Sequence, residues 1–266
     1  MAIPYYHVDA FTDELFAGNP AGVCILSAFL VDSIMQKIAA ENRHSETAFV
    51  VPRADGDFDL RWFTPVVEDD LCGHATLASA YVLALRKHNA WPVRFHTRSG
   101  MLTVAQDQNQ DSFAMDFPAM PPQPCETPVG LLPALGLKAA LVMKSRDYLV
   151  VVDQAEQVRE LSPDIALAKL DAGMGTIVTA PGEGGVDYVC RMFLPSAGID
   201  EDPATGSIHC TLAPYWAGRL GKDKEKDTFR AQQLSARGGS VQCTIRGDRV
   251  QIVGRARLYL HGTLEL

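Results

Sequence analysis

One pattern occurs twice in the chain. An Arg-x-Phe-x-Pro segment, at 61–65 and again at 191–195, runs into acidic residues. A small residue, a glycine, a polar residue and a long apolar stretch follow. The first copy reads EDDLCGHATLASAY (68–81) and the second IDEDPATGSIHC (199–210), continuing through TLAPYWAG. Gly73 aligns with Gly206, Cys72 with Thr205 and His74 with Ser207. Any two strand–turn–helix units share some likeness. Here the prefix and the spacing from glycine into the apolar stretch agree together, which favours a duplicated, pseudo-twofold architecture.

The surrounding pattern fits two halves. Short β-type runs at 5–11, 22–26, 46–51 and 58–64 are rich in Val, Phe and Tyr. A helix over 31–42 interrupts them, with Ile34, Ile38 and Ala39 on one face and Met35 beside them. An apolar helix over 73–87 and further strands follow. Residues 117–127, FPAMPPQPCET, hold four prolines and mark the boundary, which gives halves of 1–120 and 121–266. The last strands of the second half are free to pack back on the first. Beyond the boundary come β-type runs at 140–144 and 148–153, a helical stretch near 156–172, strands over 176–180 and 186–194, and a helix to about Leu220.

Both repeated helices are apolar almost all round, which marks them as buried. A buried helix start leaves amides without partners. Those amides and the positive end of the helix dipole attract an anion, and glycine lets it approach. Alone, each start reads as a well-capped helix with His74 or Ser207 near it. As a matched pair, Gly73 and Gly206 suit a small carboxylate substrate and an enolate-like charge. In the acidic turn, Asp200 and Glu201 read as solvated turn residues. Pro203 restrains Asp202, which is placed to meet a substrate or His74.

HSETAFVV (44–51) carries a second signal. Apart from Glu46 and Thr47 both faces of this strand are apolar, so it is buried on both sides. A carboxylate there fits two readings equally. One is a solvated strand start. The other is an acid–base group whose pKa desolvation raises toward neutrality.

Four stretches together resemble the PhzF-like family of phenazine-biosynthesis isomerases and predicted epimerases: FTDELFAGNPAGV (11–23), SETAFV (45–50), LCGHATLASA (71–80) and GIDEDPATGS (198–207). They span nearly the whole chain in the expected order. The resemblance implies an α+β fold of diaminopimelate-epimerase type. In it two pseudo-symmetric halves each wrap a curved, mostly antiparallel, barrel-like sheet around a central helix, with the active site between them. It implies no metal, no organic cofactor and commonly a homodimer. By resemblance Glu46 is the acid–base carboxylate, and His74, Asp202 and Ser207 line the site and relay protons. Gly73, Gly206, Asn19, Thr205 and Cys72 border the substrate.

Related cofactor-free epimerases use two opposed cysteines, each just before the glycine. Here Cys72 holds one position and Thr205 the other. A symmetric two-thiol racemase is therefore disfavoured, and a one-carboxylate proton shuttle through Glu46 fits better. Cys72 also reads as a small helix-start residue. The expected function is a cofactor-independent isomerase acting on a small carboxylate-bearing substrate. A two-base epimerase or racemase, and a non-catalytic binding or interaction protein, stay as alternatives.

Other function classes find little support. The net charge of -8 and the absence of a basic stripe argue against nucleic acid. The N-terminus lacks signal-peptide character, and the greasy run at 75–85 is too short to span a bilayer. Six scattered cysteines without a CxxC pair suit reduced thiols in the cytoplasm. The seven histidines lack metal-ligand spacing, and His209 reads as a core residue. Gly182–Gly185 precedes a strand and reads as a turn; no GxGxxG marks a dinucleotide site.

Overall fold

The computed structural model describes residues 1–106, 112–164, 175–222 and 227–266. They divide into two compact units, Met1–Asp116 with Ile252–Leu266, and Phe117–Gln251. The first contains β1 (Ala2–Ala10), β2 (Asn19–Ile25), α1 (Asp32–Asn42), β3 (Glu46–Pro52), β4 (Phe58–Phe63), β5 (Glu68–Asp69), α2 (Gly73–Leu85), β6 (Val93–Thr97), β7 (Gly100–Gln106) and β8 (Phe113–Pro118). The second contains β9 (Gln123–Pro124), α3 (Leu131–Ala134), β10 (Leu141–Lys144), β11 (Tyr148–Val151), α4 (Ala155–Arg159), β12 (Thr176–Pro181), β13 (Tyr188–Leu194), β14 (Ile199–Asp202), α5 (His209–Leu220), β15 (Phe229–Gln233), β16 (Gly239–Arg246) and β17 (Arg249–Gly254). The last strand, β18 (Ala256–Glu265), belongs to the first unit because it pairs antiparallel with β1, from Ala2 opposite Glu265 to Ala10 opposite Ala256. The chain thus leaves the first unit at Phe117, near the end of β8 and slightly before the proline-based division, and returns to it at Ile252, within β17.

The fold is α+β, and the repeat extends to the strand pairing. In the first unit β1–β2 is antiparallel, β2–β3 parallel, β3–β4 and β4–β5 antiparallel, β4–β6 parallel and β6–β7 antiparallel. In the second, β10–β11 is antiparallel, β11–β12 parallel, β12–β13 and β13–β14 antiparallel, β13–β15 parallel and β15–β16 antiparallel. Each parallel step needs a crossover. Helices α1 and α4 supply the first crossover in each unit, and α2 and α5 the second.

The Arg-x-Phe-x-Pro repeat is a structural clamp. Arg61 on β4 donates from Nε and Nη2 to the two oxygens of Glu68, at 2.7 and 2.6 Å. Arg191 on β13 does the same to Glu201, at 2.7 and 2.8 Å. Two residues on, Phe63 and Phe193 lie under the respective guanidinium groups at 5.2 and 5.0 Å. Arginine's planar fork suits such bidentate, stacked contacts. Glu201 is therefore not the solvated turn residue its sequence position suggests.

Helix α2 is buried from Gly73 through Ala80 and again at Val82 and Leu83. Its buried hydroxyls turn back on the helix: Thr76 Oγ1 donates to the Cys72 carbonyl at 2.5 Å and Ser79 Oγ to that of Ala75 at 2.7 Å. In α5, Pro214 lacks the N–H that would bond the Cys210 carbonyl. The Met120 N–H takes that carbonyl instead, at 2.9 Å. Helix α5 also starts later than the repeat suggests. Gly206, Ser207 and Ile208 form a tight leading turn, with His209 N–H bonded to the Gly206 carbonyl at 3.1 Å.

Each unit buries its own core. Met35, Ile38 and Ala39 of α1 pack with Phe49 and Phe63; Ile34, expected on that face, is only half-buried. In the second unit Val158 of α4 packs with Leu131, Val150, Val178 and Val189. Of the helical stretch expected over 156–172, α4 covers the beginning; 165–172 lies outside the described residues. Among the described residues no helix is long and apolar enough to cross a membrane. All six cysteines are free thiols, and burial pushes that of Cys24 up to about 12.

Candidate functional site

In the first unit, Glu46, His74, Asn19 and Cys72 meet. Glu46 opens β3, and its strand neighbour on β2 is Ala21. His74 is the second residue of α2, with Cys72 as the residue before the helix and Gly73 as its first residue. Glu46 Oε2 lies 3.1 Å from His74 Nε2, and the side chains are only 8% and 4% exposed. On the other side of the ring, Nδ1 lies 3.1 Å from Asn19 Nδ2 and 3.5 Å from Cys72 Sγ. An amide NH2 can only donate, so Nδ1 accepts from Asn19, while Nε2 and Glu46 Oε2 approach closely without hydrogen-bond geometry. Burial, aided by the charge of His44, pushes His74 down to about 3. The imidazole beside Glu46 is therefore neutral.

Ligand atoms of Glu46, Cys72 and His74 lie within 4.8 Å of one another, a donor set that divalent ions use. However, the nitrogen nearer Cys72 accepts from Asn19, which leaves no lone pair for a metal on that side. The arrangement suits a proton relay better than a cation cradle.

Asn19 is placed by Gly18. Gly18 has φ +65°, and a Cβ there would lie 2.2 Å from the Ala10 carbonyl oxygen. A backbone oxygen cannot swing aside as a side chain can. Gly18→Ala is expected to cost about 3 kcal/mol of stability, measured by urea denaturation. It is also expected to loosen the Asn19 contact with His74.

In the second unit, Asp202, Thr205 and Gln233 form another buried cluster. The Thr205 hydroxyl donates to Asp202 Oδ2, and its N–H donates to Gln233 Oε1 at 2.8 Å. The Gln233 amide returns to the Asp202 carbonyl and, at 3.3 Å, to Thr205 Oγ1. Thr205, the counterpart of Cys72, is thus a donor held by a carboxylate. Beside it Gly206 is buried and Ser207 half-buried. Ser207 Oγ accepts from Arg146 Nη2 at 3.2 Å.

The strand pairing shows what stands where Glu46 would be. Thr47 pairs with Phe63, and Thr176 with Phe193. The residue before each threonine is Glu46 in one unit and Gly175 in the other. A Cβ on Gly175 would lie 2.2 Å from Met192 Cε and 3.2 Å from Asp147 Oδ1. The repeat therefore carries a carboxylate in the first unit and bare backbone in the second. Sequence reasoning missed Gly175, Gln233, Arg146 and Asp147. The signal for Gly175 lay in the duplication itself.

A family model described as "Phenazine biosynthesis-like protein" matches residues 8–262. An uncharacterized isomerase of Pseudomonas aeruginosa is 54% identical over 267 residues, covering all of both chains. One of Halalkalibacterium halodurans is 42% identical over 271 residues, again with full coverage. The crystal structure of a PhzF-family phenazine biosynthesis protein from Enterococcus faecalis superposes with a TM-score of 0.93 at 43% identity, covering all of both chains. A hydroxyproline epimerase from Agrobacterium vitis shares the fold, with a TM-score of 0.65 at 12% identity over all of this chain and 93% of that one. The chain belongs to the PhzC-PhzF family of phenazine biosynthesis-like proteins and is an enzyme of the isomerase or epimerase type.

Proposed function

We propose that the chain moves a proton on a small, carboxylate-bearing substrate, with Glu46 as its single acid–base group. The observation that carries this reading is the buried Glu46–His74 contact, set against Gly175 at the equivalent position of the repeat. In the proposed step Glu46 takes a proton from carbon. The C–H electron pair passes into an enolate-type system conjugated with the substrate carboxylate. Glu46 then returns the proton to another carbon on the same face. His74, neutral and 3.1 Å away, holds the carboxylate in place within its apolar surroundings. Asp202 and Ser207 take part in holding substrate and relaying protons, and the backbone of Gly73 and Gly206 supplies donors for anionic oxygen. No organic cofactor or metal is invoked in these steps. A homodimer in the cytoplasm belongs to the same proposal, the location supported by the free thiols.

A second reading is a two-base epimerase with Cys72 as one base, favoured by its 3.5 Å contact with His74 Nδ1. Incubation in D2O with a panel of small carboxylic acids, including hydroxyanthranilate-type rings and amino acids, followed by 1H NMR, separates the readings. Label accompanied by a shifted double bond supports the proposal. Label with inversion at one carbon supports the epimerase. Ligand-induced shifts in the protein spectrum without any exchange point to a binding protein and contradict both.

A further inference from the structure

The second unit contains a cation that neither the motifs nor the relatives' names draw attention to. Arg146 follows β10, in the turn to β11, next to Asp147. Its Nε and Nη2 both donate to Asp147 Oδ2, at 3.1 and 3.0 Å, and Nη2 also reaches Ser207. Asp147 is buried, and its other oxygen accepts the Gly175 N–H at 3.0 Å. The guanidinium is thus fixed by a carboxylate that is itself fixed by backbone.

This arrangement fills the positions that correspond to Glu46 and His74, to which the reading above gives the proton chemistry. Gly175 replaces Glu46, and Ser207 replaces His74. Where the first copy sets a carboxylate against an imidazole, the second removes the carboxylate and brings an arginine to a serine. Arg146 has five N–H donors. Among the described residues, Asp147 and Ser207 take those on Nε and Nη2, and the pair on Nη1 carries no recorded bond. Ser207 accepts from Arg146, so its own O–H is available to donate. The N–H donors on Nη1 and the Ser207 hydroxyl together offer a donor to each oxygen of a carboxylate.

We propose that Arg146, with Ser207, binds the carboxylate of the substrate, and that Asp147 positions Arg146 for this. Duplication would then have divided the work, with proton transfer in the first copy and anion recognition in the second. The inference rests on the reading above that the substrate carries a carboxylate. It does not require Glu46 to be the base.

Isothermal titration calorimetry with matched acid and amide pairs tests it: anthranilate against anthranilamide, benzoate against benzamide, alanine against alaninamide. Wild type is expected to favour the acid of at least one pair by about tenfold, the worth of one charge-assisted hydrogen bond. Arg146→Gln should bring that preference to within about twofold. Arg146→Lys keeps a charge beside buried Asp147 and guards against misfolding; it should retain part of the preference, because a lysine keeps the charge but loses the planar group that Asp147 holds in place. Glu46→Gln should leave the preference intact. Folding of each variant is checked by near-UV circular dichroism. The proposal is overturned if folded Arg146→Gln keeps the wild-type preference, or if wild type prefers no acid in any pair. Loss of the preference in Arg146→Gln, together with proton exchange that survives Glu46→Gln, would keep the anion site and sink the acid–base assignment.

Discussion

Glu46→Gln is expected to lower kcat for proton transfer by about a thousandfold while leaving the fold intact. The replacement keeps shape and hydrogen-bonding capacity but cannot accept a proton from carbon. A positioned acid–base group contributes about 10²- to 10⁴-fold, and the duplicate position offers no substitute because it is Gly175. KM should move little, since the lost interaction belongs to the transition state. Cys72→Ser separates this from the two-base reading. Replacing a catalytic thiol base would cost about as much as Glu46→Gln, whereas altering a residue beside the helix start should cost less than about tenfold. The comparison is made by steady-state kinetics on the first substrate that exchanges.

Acid should destabilise the protein through two buried histidines. His74 and His209 are both buried and pushed down to about 3. In the unfolded chain each returns to about 6.5. Below that pH the unfolded state takes up protons that the folded state refuses. The histidines therefore contribute stability above pH 6.5 and lose it progressively down to about pH 3. At pH 5 the loss is about 2 kcal/mol for each. His209 is the cleaner case. Tyr188 Oη lies 2.9 Å from its Nδ1 and donates to Cys243 Sγ at 3.7 Å, while Nε2 has no hydrogen-bond partner among the described residues. A proton on Nε2 would place a bare charge in the α5 core, where the ring packs against Tyr188, on which Trp216 stacks. Urea unfolding at pH 7.5 and pH 5 should show the combined loss, and His209→Gln should remove about half of it. An equal loss in wild type and variant would place the acid sensitivity elsewhere.

The parts of the molecule legible in the sequence were those built from local contacts. The Arg-x-Phe-x-Pro repeat was visible because each arginine finds its glutamate seven or ten residues later, within one strand–turn segment. Glu46 stood out at the head of an apolar strand and His74 in the repeated glycine turn, and the family resemblance alone singled out a role for each. Other features depended on partners far along the chain. Gln233 reaches Thr205 across 28 residues, and Arg146 reaches Ser207 across 61, so no spacing announces either. Gly175 was hidden by a difference in loop length. The β3–β4 hairpin closes from Pro52 to Phe58, while β12–β13 closes from Pro181 to Tyr188, one residue longer. A plain overlay of the halves slips out of register there, and the glycine that replaces Glu46 goes unnoticed. Pairing the strands restores the register. Glu201 misled in the opposite way, since an acid in an acidic turn looks solvated until its arginine is located.

The most direct measurement is solvent-deuterium incorporation by wild type and Glu46→Gln in parallel, followed by NMR on one substrate. Label entering a carbon position with wild type, and slowing about a thousandfold in the variant, is the expected result. Equal labelling by both proteins would contradict it, and would move the proton chemistry from Glu46 to another group.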